Sequence, residues 1–118
     1  MAFVDKGETQ FSIIYLPKLE EMYYGIKGKG VSLNNKKIKL KNNVALNESI
    51  AEFCGSAHKK YEEKLTIFER LLNNEVRPSN FLHLNSCSFA FANILSGRTN
   101  TLVVSTKKAW DVFLEYLW

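Results

Sequence analysis

The first third of the chain has the hydrophobic pattern of a β-meander. β-Branched and aromatic residues fill the runs 11–16 and 22–26, and Pro17 with its charged neighbours separates them. The segment 36–40 alternates polar with apolar residues, as a half-exposed strand does. Turn-forming residues lie at three further places, which are Lys6-Gly7-Glu8, Gly28-Lys29-Gly30 and Asn34-Asn35. The pattern predicts short strands joined by tight turns up to about residue 40.

Helical periodicity replaces this pattern in the second half of the chain. Four apolar residues at helical spacing predict an amphipathic helix from about 58 to 73: Tyr61, Leu65, Phe68 and Leu72. A second apolar stripe predicts a shorter helix: Cys87, Phe91, Ile94 and Leu95. Asn85 and Ser86 are both suitable N-caps for this helix, and Gly97 is a suitable C-terminal stop.

Short apolar runs predict three further elements. Residues 50–55 form a short buried strand in this interpretation, and the β-branched run 101–105 forms an inner strand. A short helix then begins near Trp110. The predicted organisation is therefore a β-rich half at 1–57, followed by helix, helix, strand and helix at 58–118.

The composition is that of a globular protein. A chain of 118 residues suits one domain or part of one, and 46% hydrophobic with 24% charged residues permits a packed core. No apolar stretch is long enough for a membrane span and no signal-peptide pattern begins the chain, so we expect a cytoplasmic protein. Cys54 and Cys87 lack the spacing of a zinc site, and we expect reduced, buried thiols.

The net charge of +4 permits an anionic ligand or nucleic acid but requires neither. The spacing Gly25-x-x-Gly28-x-Gly30 matches neither of the common phosphate-binding glycine motifs, so tight turns explain it better than a phosphate cradle. The lysines between 27 and 41 lie close to Tyr23 and Tyr24. A solvated strand face explains this cluster better than a nucleic-acid surface does.

Few residues of the chain suit catalysis. Only Asp5 and Asp111 among the 12 acidic residues are aspartates, so a site of several converging aspartates is hard to assemble from this chain alone. Asp111 follows Trp110 at the start of a predicted helix, where it caps the helix or holds a hard cation, and the residues alone favour capping. His58 and His83 lie apart from any carboxylate or cysteine at metal-ligand spacing.

Cys87 has two interpretations. At a helix N-terminus the N–H groups favour a thiolate, which would make the side chain reactive. No basic residue neighbours it in the sequence, so a small core residue is the preferred interpretation.

Several short segments occur together in the order and spacing of one known family. In the first half they are Phe3–Glu8, Ile13–Pro17, Glu21–Tyr23, Gly28–Val31 and Leu33–Ile38. In the second half they are Asn85-Ser86-Cys87, Ser96-Gly97-Arg98-Thr99-Asn100 and Ala109-Trp110-Asp111-Val112. They resemble the inositol monophosphatase family, whose superfamily includes fructose-1,6-bisphosphatase.

The resemblance implies a layered α/β phosphatase that hydrolyses phosphate monoesters, typically inositol monophosphate, with Mg²⁺. It implies that Asp111 is a metal ligand and that Asn85, Ser86 and Cys87 lie in a substrate-binding loop before a helix N-terminus. The family's Asp-Pro-Ile/Leu-Asp-Gly-Thr segment, which supplies two further metal-binding aspartates, is expected before Phe3 and does not occur in the chain. Val104 stands where many members carry an acid that binds the inositol ring.

We therefore predict an α+β fold over 1–118 as a single partial domain. It has a mainly antiparallel or mixed sheet, two amphipathic helices and a short C-terminal helix. The predicted function is that of a fragment of an inositol-monophosphatase-like, Mg²⁺-dependent phosphatase that is inactive alone. The alternative is a non-catalytic interaction or oligomerisation module.

The predicted partners follow from the same resemblance. They are inositol phosphate or another small phosphate monoester, and either a second copy of the chain or a polypeptide that supplies the missing half. Neither a membrane nor a nucleic acid is predicted as a partner.

Overall fold

The computed structural model describes residues 1–40, 44–54, 61–84 and 86–104, which form two compact units. The first unit contains five strands: β1 (Ala2–Asp5), β2 (Glu8–Leu16), β3 (Glu21–Ile26), β4 (Gly30–Leu33) and β5 (Lys36–Lys37). The second contains β6 (Ile50–Cys54), α1 (Tyr61–Leu72), β7 (Asn80–His83), α2 (Cys87–Ser96) and β8 (Thr101–Val104). Single 3-10 turns lie at Pro17–Leu19 and Leu46–Glu48.

The first unit is an antiparallel meander in the order β1-β2-β3-β4-β5, which confirms the prediction for residues 2–40. Ser12 pairs with Gly25 and Ile14 pairs with Tyr23, and these residues form the buried face of the sheet. Successive residues of a strand point to opposite faces. The other face therefore carries Tyr15, which is 59% exposed.

An Asn-Asn turn joins β4 to β5. Asn34 and Asn35 have φ of 46° and 67°, the left-handed conformation that a two-residue hairpin loop requires. The Asn34 side chain also accepts a hydrogen bond from the Met22 N–H (2.9 Å) and donates one to the Glu20 carbonyl (2.8 Å). The strand predicted over 36–40 was too long, since β5 ends at Lys37. Lys36 and Lys37 pair with Leu33 and Ser32 of β4, and one further hydrogen bond runs from the Ile38 N–H to the Val31 carbonyl (2.9 Å).

The glycine-rich segment is a turn between β3 and β4, as predicted. Gly28 and Gly30 both have positive φ. Beside this turn, Lys27 forms an ion pair with Glu8. The hydrogen bond from Lys27, and then its charge, holds the pKa of the Glu8 carboxyl below its ordinary value. The Lys27 ammonium therefore has a carboxylate partner within the unit.

The second unit contains a parallel sheet in the order β7-β6-β8. Residues 51–54 of β6 are all buried, which is typical of a parallel strand covered on both faces. The buried strand predicted over 50–55 is confirmed for its described residues, 50–54. The prediction that β8 is an inner strand was wrong, because β6 is central and β8 lies at the edge of the described sheet. No strand was predicted at β7.

The two helices cover opposite faces of this sheet. Glu52 and Cys54, two positions apart on β6, both contact α2. Ala51 points the other way and pairs with Phe81 of β7, whose ring meets Phe68 of α1 edge-on at a centroid distance of 5.1 Å. The mixed α+β fold with layered helices and strands is thus confirmed.

Both predicted amphipathic helices are present. α1 lies inside the predicted range, although its Leu65 is 49% exposed. α2 begins after the N-cap Ser86 and ends at Gly97, whose φ is 76°. Its most buried residues are Ala90, Ala92, Asn93 and Leu95.

The predicted apolar stripe of α2 was therefore wrong in part. Phe91 and Ile94 are only half-buried, whereas the polar Asn93 is buried. The reason is that Asn93 has a partner on the sheet. Its Nδ2 donates to Oε2 of Glu52 (3.1 Å), which is fully buried in the middle of β6, and its Oδ1 accepts from Nη1 of Arg98 (3.2 Å).

Some predictions fall outside the described residues, namely those on Asn85, His58 and the C-terminal helix with Asp111. In the described part of the chain, neither helix has the length and apolar character needed to cross a membrane.

Replacing Asn93 tests how strongly its side chain holds α2 on the sheet. We expect Asn93→Leu to lower the free energy of unfolding by about 3 kcal/mol, because the buried Glu52 carboxyl group then loses its hydrogen-bond donor. Urea unfolding followed by circular dichroism measures this change. The double variant Glu52→Leu/Asn93→Leu is the matched control and should recover most of the loss, since neither polar group is left buried alone. An unchanged unfolding midpoint for Asn93→Leu would contradict this expectation.

Candidate functional site

The carboxyl ends of the three parallel strands meet at one edge of the second unit. Phe53 pairs with His83 and Cys54 pairs with Val104, so β6, β7 and β8 end side by side. In open sheets of this kind, ligands bind beyond the carboxyl ends of the strands. We call this edge the carboxyl edge.

The N-terminus of α2 lies at the carboxyl edge. The helix starts shortly after β7 ends, and Sγ of Cys87 in its first turn is 2.7 Å from Sγ of Cys54, the last residue of β6. The first N–H groups of a helix point outward and carry a partial positive charge. This end of α2 can therefore accept an anion.

Ser86 sets the direction in which the helix starts. Its backbone is extended (φ −143°, ψ 106°), and its Oγ accepts a hydrogen bond from the Phe89 N–H at 3.3 Å. Its carbonyl accepts the first helical hydrogen bond, from the Ala90 N–H at 3.0 Å. Ser86 is the N-cap of the helix, and its exposed side chain lies beside the carboxyl edge.

The structure places two of the residues predicted for substrate binding, Ser86 and Cys87, at the carboxyl edge. Asn85 and the predicted metal ligand Asp111 lie outside the described residues. Val104, at the position implied for a ring-binding acid, is half-buried at the carboxyl edge. Cys87 is half-buried and Cys54 is only 1% exposed, and both are thiols.

Comparison with known proteins identifies the family. The model of the inositol monophosphatase family matches residues 1–113, which is nearly the whole chain. The chain belongs to the inositol monophosphatase family. This match confirms the resemblance to the family that the short sequence segments indicate.

A relative from Thermotoga maritima, named fructose-1,6-bisphosphatase/inositol-1-monophosphatase, is 26% identical over 112 residues. The match covers 95% of this chain and 41% of that protein. The chain therefore spans less than half the length of this inositol monophosphatase relative.

Solved structures agree with the fold. The extragenic suppressor protein SuhB from Bartonella henselae superposes with a TM-score of 0.85 at 16% identity, over 98% of this chain and 44% of that one. A dual inositol monophosphatase/NADP phosphatase crystallised with Mg²⁺ and phosphate gives a TM-score of 0.76 at 18% identity, over 98% of this chain and 41% of that one. At these identities the comparison supports the fold of the family.

The described residues do not form a magnesium site of the family's kind. Within the described ranges, no three His, Cys, Asp or Glu side chains come together. Glu52 lies in the middle of β6 and is bonded to Asn93, and His83 stacks on Phe53 at a centroid distance of 6.1 Å. The donor set that Mg²⁺ needs is therefore not provided by this part of the chain.

Two residues that position α2 at the carboxyl edge were not predicted from the sequence. Glu52 and Asn93 were not singled out, although each has a polar side chain inside an otherwise apolar segment, 50–54 or 89–95. That interruption is the signal that could have found them, because a buried polar group requires a partner. The sequence alone does not say which two such residues meet.

Replacing Ser86 tests its role as the N-cap. We expect Ser86→Ala to lower the free energy of unfolding by about 1 kcal/mol, since the Phe89 N–H loses its acceptor. Ser86→Asp is the matched control and should restore the stability, because an aspartate accepts the same hydrogen bond and its charge suits a helix N-terminus. Urea unfolding followed by circular dichroism measures both variants. Equal stability of the alanine variant and the native chain would show that the cap contributes nothing.

Proposed function

We propose that this chain forms part of a Mg²⁺-dependent phosphate monoester hydrolase of the inositol monophosphatase family. It contributes the substrate-binding loop of Asn85, Ser86 and Cys87 and one metal ligand, Asp111. It does not hydrolyse phosphate monoesters by itself.

The observation that carries this proposal is the position of the α2 N-terminus at the carboxyl edge. Ser86 caps the helix there, and three parallel strands end beside it. The N–H groups of the first turn and the helix dipole favour a negatively charged group such as a phosphate. The family membership supports the same ligand class.

The small number of aspartates supports the proposal that the chain alone does not hydrolyse phosphate monoesters. Hydrolysis of this kind uses Mg²⁺ to neutralise the phosphate and to activate water. Mg²⁺ binds through oxygen ligands, chiefly carboxylates. The chain contains the aspartates Asp5 and Asp111, and of these Asp111 alone matches a family ligand position.

Val104, the last residue of β8, affects which substrate we propose. Val104 has no hydrogen-bonding side chain, although it stands at the position of the acid that many family members use for the inositol ring. Val104 is half-buried at the carboxyl edge and adds an apolar side chain there. We therefore propose a small phosphate monoester as substrate, with fewer hydroxyl contacts than inositol phosphate receives in those members.

Phosphate binding tests the role of the α2 N-terminus. We expect inorganic phosphate to shift the backbone amide signals of Cys87 and Ser88 in a titration followed by nuclear magnetic resonance, because N–H groups in the first turn of a helix point outward toward an anion. Ser86→Asp should abolish the shifts while keeping the helix, since its carboxylate caps the helix and repels phosphate. Chloride at equal ionic strength is the control titration. Shifts spread over the lysines of the first unit, with none in α2, would contradict the proposal.

Phosphate release tests whether the chain acts alone. We expect the 118-residue chain to release no phosphate above the blank from inositol 1-phosphate in the presence of Mg²⁺, because it has too few metal ligands. A full-length family member serves as the positive control for the assay. Asp111→Asn should give the same blank value as the native chain. Turnover by the native chain that Asp111→Asn abolishes would overturn the claim of inactivity and support a complete metal site.

A further inference from the structure

The sulfur atoms of Cys54 and Cys87 lie closer together than non-bonded atoms normally do. The two Sγ atoms are 2.7 Å apart, although the residues are 33 positions apart in the sequence. Non-bonded carbon atoms, which are smaller than sulfur, stay about 3.5–4.0 Å apart in van der Waals contact. The two sulfur atoms of a disulfide bond are about 2.05 Å apart. The two sulfur atoms therefore need to approach by only about 0.7 Å for a bond to form.

The surrounding contacts hold the pair in place. Glu52 is two residues before Cys54 on the same face of β6, and Asn93 is on the same helix as Cys87. The hydrogen bond between Asn93 and Glu52 fixes α2 against β6. The two sulfur atoms are thus presented to each other by a strand and a helix that are already joined.

The two thiols differ in a way that suits stepwise oxidation. Cys87 is half-buried in the first turn of α2, where the helix N–H groups favour a thiolate, and an oxidant reaches it from solvent. Cys54 is 1% exposed and lies behind it. Cys87 is therefore the thiol that a peroxide oxidises first, and Cys54 is the thiol that then reacts with the oxidised Cys87.

We propose that Cys54 and Cys87 form a thiol–disulfide pair that a hydroperoxide oxidises. The Cys87 thiolate attacks one oxygen of the peroxide, the O–O bond breaks, and Cys87 becomes a sulfenic acid as hydroxide leaves and takes a proton. The Cys54 sulfur then attacks the Cys87 sulfur. An S–S bond forms, the S–O bond breaks, and the Cys54 proton leaves with the hydroxyl group as water. In sum, two thiols lose two hydrogens and one hydrogen peroxide becomes two waters.

This inference does not depend on the proposed function. It rests on the positions of Cys54 and Cys87 and holds whether or not the carboxyl edge binds phosphate. Its test uses no substrate and no metal ion.

Thiol counting by mass spectrometry tests the proposal. The reduced 118-residue chain is treated with hydrogen peroxide, quenched, unfolded and alkylated with iodoacetamide. We expect the intact chain to lose two hydrogens and to take up no alkyl group, to run as a monomer on a non-reducing gel, and to regain both thiols with dithiothreitol. Two alkylatable thiols after treatment, or disulfides that form only between chains, would overturn the proposal.

The folded state should accelerate the reaction. We expect disulfide formation to be at least about tenfold faster in the native chain than in urea, because folding brings the two sulfurs together in advance. An equal or faster rate in urea would overturn the proposal, since the sulfurs would then meet without the fold.

Single variants test the order of the two steps. In Cys54→Ser, dimedone should trap a sulfenic acid on Cys87, whereas in Cys87→Ser the remaining Cys54 should stay reduced under the same conditions. Cys54→Ala replaces Cys54→Ser if the buried serine lowers stability, and circular dichroism checks the fold of each variant. Dimedone labelling of Cys54 in folded Cys87→Ser with none on Cys87 in folded Cys54→Ser would overturn the assignment.

Discussion

The hydrogen bond between Glu52 and Asn93 is the interaction on which the arrangement of the second unit depends. A carboxyl group on a buried stretch of a strand is costly unless a hydrogen-bond donor meets it there. Oε1 of Glu52 has no hydrogen-bond partner among the described residues, so Asn93 on Oε2 is its donor in this part of the chain. Because an apolar contact tolerates small sliding movements and a hydrogen bond does not, this pair specifies where α2 lies along the sheet.

The same asparagine also joins α2 to β8. Its carbonyl accepts hydrogen bonds from the Arg98 N–H (2.8 Å) and the Thr99 N–H (3.3 Å), which close the end of the helix after Gly97. Asn100 then pairs with Ile50 at the start of β6, through its own N–H and through its Oδ1, each at 3.0 Å. The segment 96–100 therefore directs the chain from the helix to the edge of the sheet. The family motif that it matches has a structural role in this chain.

Much of the fold could be predicted from short sequence patterns, because helix caps and turns are determined by residues only a few positions apart. Ser86, Gly97 and the pair Asn34-Asn35 each indicated an element boundary that the structure has. The parallel pairing of β6 with β7 and β8 was not predictable in this way, since its partners are far apart in the sequence and β7 has only four residues. The same limit applies to the candidate site. Ser86 was found from its cap pattern, whereas the contact between Cys54 and Cys87 depends on the tertiary fold.

The two contacts between α2 and β6 together fix the start of the helix. Along β6, Glu52 and Cys54 are about 6.6 Å apart, and along α2 the rise from Cys87 to Asn93 is about 9 Å. Cys87 contacts the end of the strand and Asn93 contacts its middle, so the helix runs antiparallel to the strand. A shift of the helix by one turn, about 5.4 Å, would break both contacts at once. The N-terminus of α2 is therefore held at the carboxyl edge from two points. A disulfide between Cys54 and Cys87 would leave α2 where the buried hydrogen bond between Asn93 and Glu52 has already placed it.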